Sequence, residues 1–220
     1  MRALKLIAAL SLSVVVSACG SVDIASRNAP FEDTGPSAAS QPEVQAVVLP
    51  PLKVQKVNVT VPETLKVSEA NRYLPSGDIV WREDPIGNRY SQVRTIFESA
   101  MNKGVEEFDD GTPVVLDIEV MRFHALTEKA RFAVGGVHSL KFKLVIRDAR
   151  TGQSIADPRI VKADLDAFGG QQALDAEARG QTQKVRITDH LAEVIRQELT
   201  RPGGYQNADL GFIQRLNDNI

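Results

Sequence analysis

Leu140-Lys141-Phe142-Lys143-Leu144-Val145-Ile146-Arg147 alternates apolar and mostly basic residues at a period of two. That period belongs to a strand with one face in a core and the other in water. Two neighbours carry the complementary pattern. Upstream, Val114, Leu116 and Ile118 alternate with Asp117 and Glu119; downstream, Val161, Ala163 and Leu165 alternate with Lys162, Asp164 and Asp166. The expected arrangement is an antiparallel meander of strands near Val114–His124, Leu140–Arg147 and Ile160–Phe168. The basic strand then lies in the middle, opposite acidic residues on both sides. Asp148-Ala149-Arg150-Thr151-Gly152 supplies turn chemistry between the second and third strands. In the first strand the apolar parity changes after Val120, where Met121 and Phe123 follow. One extra residue there, a β-bulge near Val120 or Met121, turns Phe123 back toward the core.

Working outward, Val57, Val59 and Val61 alternate with polar residues and mark a first strand over Val54–Val61, closed by Pro62. Leu65 to Asn88 is irregular, with Pro75-Ser76-Gly77 as a turn and Ile79-Val80-Trp81 as a short apolar piece. From Asn88, a suitable N-cap, to Phe108, apolar residues recur at three and four: Tyr90, Val93, Ile96, Phe97, Ala100, Met101 and Val105. After Gly169-Gly170 a helical stretch begins near Gln171, with an interruption expected at Gly180. Ile187, Leu191, Val194, Ile195 and Leu199 form the stripe of a last helix that stops before Pro202. Strand, helix, three-strand meander and helix make an α+β, two-layer sandwich. Its sheet is antiparallel-rich, and both helices cover one face.

The N-terminus speaks to compartment. Arg2 and Lys5 precede the apolar run Leu6–Val16, which is too short to span a bilayer, and Ser17-Ala18 precede Cys19, the chain's single cysteine. The expected organisation is a signal peptide over 1–18 and a lipidated, tethering segment over 19–48. A single domain over 49–202 and a C-terminal tail over 203–220 follow. Segment 20–45 is rich in Ser, Ala, Pro and Gly, and some 30 residues of such coil reach roughly 30 Å. Gly20 after the anchor favours the outer membrane, with the domain facing the periplasm.

Several chemistries are disfavoured. A formal net charge of −2 gives no footing for nucleic acid. A lipid-bearing Cys19 leaves the mature chain with no thiol for disulfide, zinc or catalysis. His124 and His138 flank one loop that contains Glu128, yet no metal-binding spacing supports a site, and both read as surface or strand-end residues. His190 reads as half-exposed packing on the last helix. No G-x-S-x-G occurs, and neither Gly135-Gly136 nor Gly169-Gly170 has phosphate-loop spacing. Asp117 and Glu119 read as a solvated sheet face. No cofactor and no catalytic activity are expected. Tyr73, Trp81 and Arg82, in the irregular segment, are the candidate partner-binding residues, since Trp and Arg are frequent interface anchors; core packing is the competing reading of Trp81.

Val16-Ser17-Ala18-Cys19 resembles the lipobox of bacterial lipoproteins. With the Tyr73-Leu74-Pro75 to Trp81 stretch, Leu116-Asp117-Ile118-Glu119-Val120, the hairpin from Leu140 to Gly152 and the closing helix, the chain resembles an uncharacterised family of envelope lipoproteins. It is loosely similar to the auxiliary lipoproteins of ABC-type transport systems. The resemblance implies a diacylglyceryl thioether on Cys19 and a binding or assembly role beside an envelope protein. A structural, oligomerising lipoprotein and a lipoprotein enzyme are the alternatives.

Overall fold

In the computed structural model, which describes residues 49–217, the basic strand is the centre of the sheet. β1 (Leu52–Thr60), β2 (Ile79–Val80), α1 (Arg89–Gly104) and β3 (Thr112–His124) come first. Then follow α2 (Glu128–Arg131), β4 (Gly136–Asp148), β5 (Arg159–Lys162), β6 (Leu165–Ala167), α3 (Gly170–Ala178), α4 (Gln183–Thr200) and α5 (Phe212–Asn217). The path β1-β3-β4-β5 carries the sheet, with β2 added to β3 and β6 to β4. β4 runs antiparallel to β3 on one side and to β5 on the other, as the alternation predicts. β1 and β2 lie parallel to β3, so the sheet is mixed. The parallel pairing follows from the intervening helix: α1 carries the chain back so that β3 can start beside the start of β1.

The inward set holds. Val114, Leu116, Ile118 and Val120 on β3, and Leu140, Phe142, Leu144 and Ile146 on β4, are all buried. The β3/β4 register shifts between Val120 and Arg122, which places the bulge at Met121. Phe123 accordingly turns inward, fully buried, edge-on to Trp81 and Phe97. α1 is capped as expected, the Asn88 side chain accepting from the Ser91 N–H at 2.9 Å. Its stripe and that of α4 share the core with the sheet. The two helices approach closely where Gly104 faces α4: a Cβ there would lie 2.3 Å from Ile195 Cγ2.

The third strand departs from expectation. It splits at Ala163-Asp164 because Asp164, read as an outward acid, is buried. Its carboxylate accepts from the Leu140 N–H at 3.1 Å, from Asn207 Nδ2 at 3.0 Å and from Gln214 Nε2 at 2.7 Å. A side chain thus satisfies a backbone donor where strand pairing lapses. The charge alternation is correspondingly one-sided. Between β3 and β4, Arg147 pairs with Asp117 at 2.7 Å and Lys143 lies 4.0 Å from Glu119. Toward β5, Lys141 instead stands opposite Lys162. Residues beyond Gly204 pack on the domain: Asn217 donates to the Val137 carbonyl, and Arg122 donates to the Asn217 carbonyl at 3.1 Å.

Candidate functional site

β3 runs 13 residues from Thr112 to His124, about 40 Å at ~3.3 Å per residue. The sheet therefore has two well-separated ends. Leu52 pairs with Thr112, so the chain enters at the Thr112 end. The opposite end is formed by His124, Ser139 and the start of β4.

The irregular segment before α1 is clamped to this far end by charge. Arg89, buried at the first position of α1, forms a bidentate pair with Glu69 at 2.6 and 3.0 Å and donates to the Asp84 and Pro85 carbonyls. Arg82 pairs with Glu128 of α2 at 2.5 Å and also donates to the Glu69 carbonyl. Asp84 accepts from Trp81 Nε1 at 2.7 Å and from Lys184 of α4 at 2.9 Å. The hydrogen bonds from Lys184 and Trp81, with the nearby charges of Lys184 and Arg89, hold the Asp84 carboxyl below its ordinary value against the opposing effect of burial. The Arg89 hydrogen bond lowers Glu69 likewise. Arg131 joins α2 to α3 through Glu177 at 2.8 Å.

The three residues singled out by sequence separate here. Trp81 is no surface anchor: it is fully buried against Phe123, and its one polar atom is spent on Asp84. Arg82 is half-buried and committed to Glu69 and Glu128. Tyr73 alone is exposed, with the Lys129 ammonium 4.9 Å from its ring centroid. Cys19 lies outside the described residues.

What the sequence reading missed is the company Tyr73 keeps. Leu74, Phe132, Val134, Phe212 and Ile213 are also exposed, Val134 at 76% and Phe212 at 71%. Local bonds hold their backbones at the far end. Thr127 caps α2 and donates to the Arg72 carbonyl at 2.7 Å, and His124 Nε2 donates to the Pro75 carbonyl at 2.8 Å. The Phe132–Val134 loop returns through Gly135, whose N–H reaches the Ala130 carbonyl at 2.9 Å. Gly135 has φ +74, and a Cβ on the facing Gly169 would lie 2.1 Å from the Gly135 nitrogen. The glycine pairs are therefore neither phosphate loops nor spacers; they let two backbones touch and thrust Phe132 and Val134 outward. Ile213 of α5 reaches the same place, its Cγ2 3.8 Å from where a Gly136 Cβ would be. Signals for this surface were present, in Thr127 as an N-cap and in the apolar Phe132-Ala133-Val134 beside two glycines.

The histidines do not form a metal site with Glu128. His124 and His138 do stand at strand ends, as the last residue of β3 and the third of β4, but both are buried, which corrects the surface part of their reading. His124 is bound to Pro75, and His138 Nδ1 accepts from the Leu126 N–H at 3.3 Å. His190 is half-buried and donates to the Ala163 carbonyl at 3.2 Å. Among the described residues no three His, Cys, Asp or Glu side chains could hold a metal ion, and no helix is long and apolar enough to cross a membrane. Near the chain's entry, a cavity of ≈ 210 Å³ lined by Leu144, Ile146, Pro158, Arg159 and Glu198 falls short of the ~300 Å³ usual for small-molecule sites. Burial pushes the Glu198 carboxyl up, although Arg159 lies 2.7 Å away.

Solved structures with some likeness to the chain include three with low identity. A candidate lipoprotein from Caulobacter crescentus CB15 is 15% identical, with 48% of this chain and 78% of that one covered and a TM-score of 0.31. A Xanthomonas campestris protein of the DUF330 family is 12% identical over 70% of this chain and 87% of that one, at a TM-score of 0.39. A dodecameric PelC variant from Paraburkholderia phytofirmans is 13% identical over 67% and 92%, at a TM-score of 0.29. No curated protein matches the chain. Residues 52–215, the sheet and helices described above, match the model of one family. The chain belongs to DUF6778, a family of unknown function.

Proposed function

We propose that this protein is a lipid-anchored, non-catalytic accessory on the periplasmic face of the outer membrane. In this reading it docks an envelope protein with the far end of its domain, as part of a transport-related assembly. The supporting observation is the grouping of exposed apolar side chains at the sheet end opposite the chain's entry. A lipid on Cys19 would anchor the chain, each buried methylene adding ~0.8 kcal/mol. The apolar end lies opposite the Thr112 end, where the chain enters the domain, along a strand of about 40 Å. Exposed apolar groups clustered on a rigid base are what a protein partner buries at an interface centre. The clamp of Glu69, Arg82, Arg89 and Glu128 supplies that base, so Arg82 acts behind the surface and Tyr73 at its edge.

Native electrophoresis of detergent-extracted membranes tests the reading with Phe132→Ser, Val134→Ser and Phe212→Ser combined. The expected result is loss of the high-mass species while the variant stays in the membrane fraction with unchanged melting. An unchanged high-mass species would overturn it. A species containing this chain alone would favour an oligomerising structural lipoprotein instead.

A further inference from the structure

Behind the apolar end, α2, α3 and the first turn of α4 close over the start of β4 around a small polar cavity. It measures ≈ 10 Å³ as space open to the centre of a water-sized sphere, about the room one water molecule needs. Its walls include Arg131, His138, Phe168, Ala173, Gln183 and Arg186. Two of these residues carry a buried polar atom with no partner, His138 Nε2 and Gln183 Oε1. Their side chains are all but inaccessible, at 1% and 7% exposure.

The two orphan atoms are complementary in role. His138 Nδ1 accepts from the Leu126 N–H, so in the neutral ring the proton sits on Nε2. Nε2–H is then a donor without an acceptor, and Gln183 Oε1 is an acceptor without a donor. Buried polar groups are nearly always satisfied by protein or by ordered water.

We propose that one water molecule is built into this cavity, accepting from His138 Nε2–H and donating to Gln183 Oε1. Only an occupant that both accepts and donates satisfies the pair. A cation would meet the His138 N–H and the guanidinium groups of Arg131 and Arg186. An anion would face the lone pairs of Gln183 Oε1, and the cations that would attract it are engaged. Arg131 pairs with Glu177 at 2.8 Å, and Arg186 donates to the Asp166 carbonyl at 2.8 Å while lying over the Phe168 ring. The small side chains of Ala173 and Ala176 leave the space open. The water joins the first residues of β4 to the first turn of α4. It thereby braces the layer beneath the Phe132–Val134 loop.

A crystal structure of the protein at about 1.5 Å is the direct test, in chloride and in bromide. The expected result is one peak at about 2.7–3.2 Å from both His138 Nε2 and Gln183 Oε1, with no anomalous signal in bromide. In solution, the oxygen-17 relaxation dispersion of Gln183→Leu should report one long-lived water fewer than the wild type. A bromide peak in the cavity would overturn the proposal. So would the absence of density, or a direct His138–Gln183 hydrogen bond closing the space. The wild-type crystals decide the matter even if Gln183→Leu does not fold.

Discussion

Acid should weaken this fold through His138 before the carboxylates respond. Burial first, and then the charges of Arg186 and Arg131, hold its pKa down from 6.5 to about 3. The unfolded chain takes up a proton on this ring near its ordinary value, whereas the native ring stays neutral. Its contribution is therefore complete above pH 6.5, declines as pH falls, and is gone at about 3. At ~1.36 kcal/mol per unit, lowering the pH to about 5 removes about 2 kcal/mol, and the whole window about 5 kcal/mol. That is a large share of a typical stability of ~5–15 kcal/mol. His124 and His190 are also lowered by burial and act in the same direction. Glu69, Asp84, Asp117 and Glu128 are lowered, so their stabilisation persists above the ordinary carboxylate range and is lost only in stronger acid. Glu198 is raised by burial and works oppositely, its ionisation penalty easing as pH falls. Comparison with His138→Gln isolates one ring, because the amide keeps an acceptor for the Leu126 N–H and a donor toward the cavity. Urea unfolding at about pH 7 and about pH 5 should show the wild type losing about 2 kcal/mol more than the variant. Equal losses in the two proteins would refute the placement of a neutral, buried imidazole at position 138.

Three further outcomes follow from contacts already described. Gly104→Ala should lower thermal stability by at least ~1–3 kcal/mol, since the new Cβ would lie 2.3 Å from Ile195 Cγ2 and 2.4 Å from the Ala192 carbonyl; an unchanged melting curve would contradict the close α1–α4 approach. Lys143→Glu should cost no more than ~1 kcal/mol, its partner Glu119 being exposed, whereas Phe142→Asp should abolish the folded circular dichroism spectrum by burying an unpaired charge. Cys19→Ala should lose both fatty-acid labelling and membrane association, and equal labelling of the variant would count against the anchor.

Periodicity carried the fold because burial imposes it. The alternation along Leu140–Arg147 and the parity change at Val120/Met121 both reflect which side chains reach water, and both register in the sheet. The helices were legible from stripe and cap together, at Asn88 and at the run from Ile187 to Leu199. Asp164 was misread because alternation presumes an unbroken strand; its partners Asn207 and Gln214 lie more than 40 residues away in sequence. Trp81 was ambiguous for the same reason. A loop tryptophan is a core residue only if a distant element, here Phe123 on β3, supplies the wall. The apolar end was the least legible feature. It is assembled from three separate segments, each carrying two exposed residues that look unremarkable alone.

In the proposed function, the far end of the domain meets an envelope protein while the entry end does not. Photo-crosslinking in living cells tests it, with a photoreactive phenylalanine at Val134 or at Thr151, an exposed residue in the turn beside the start of β3. The expected result is one discrete adduct to another envelope protein from position 134 and none from position 151. The same adduct from position 151, or no protein adduct from position 134, would contradict it.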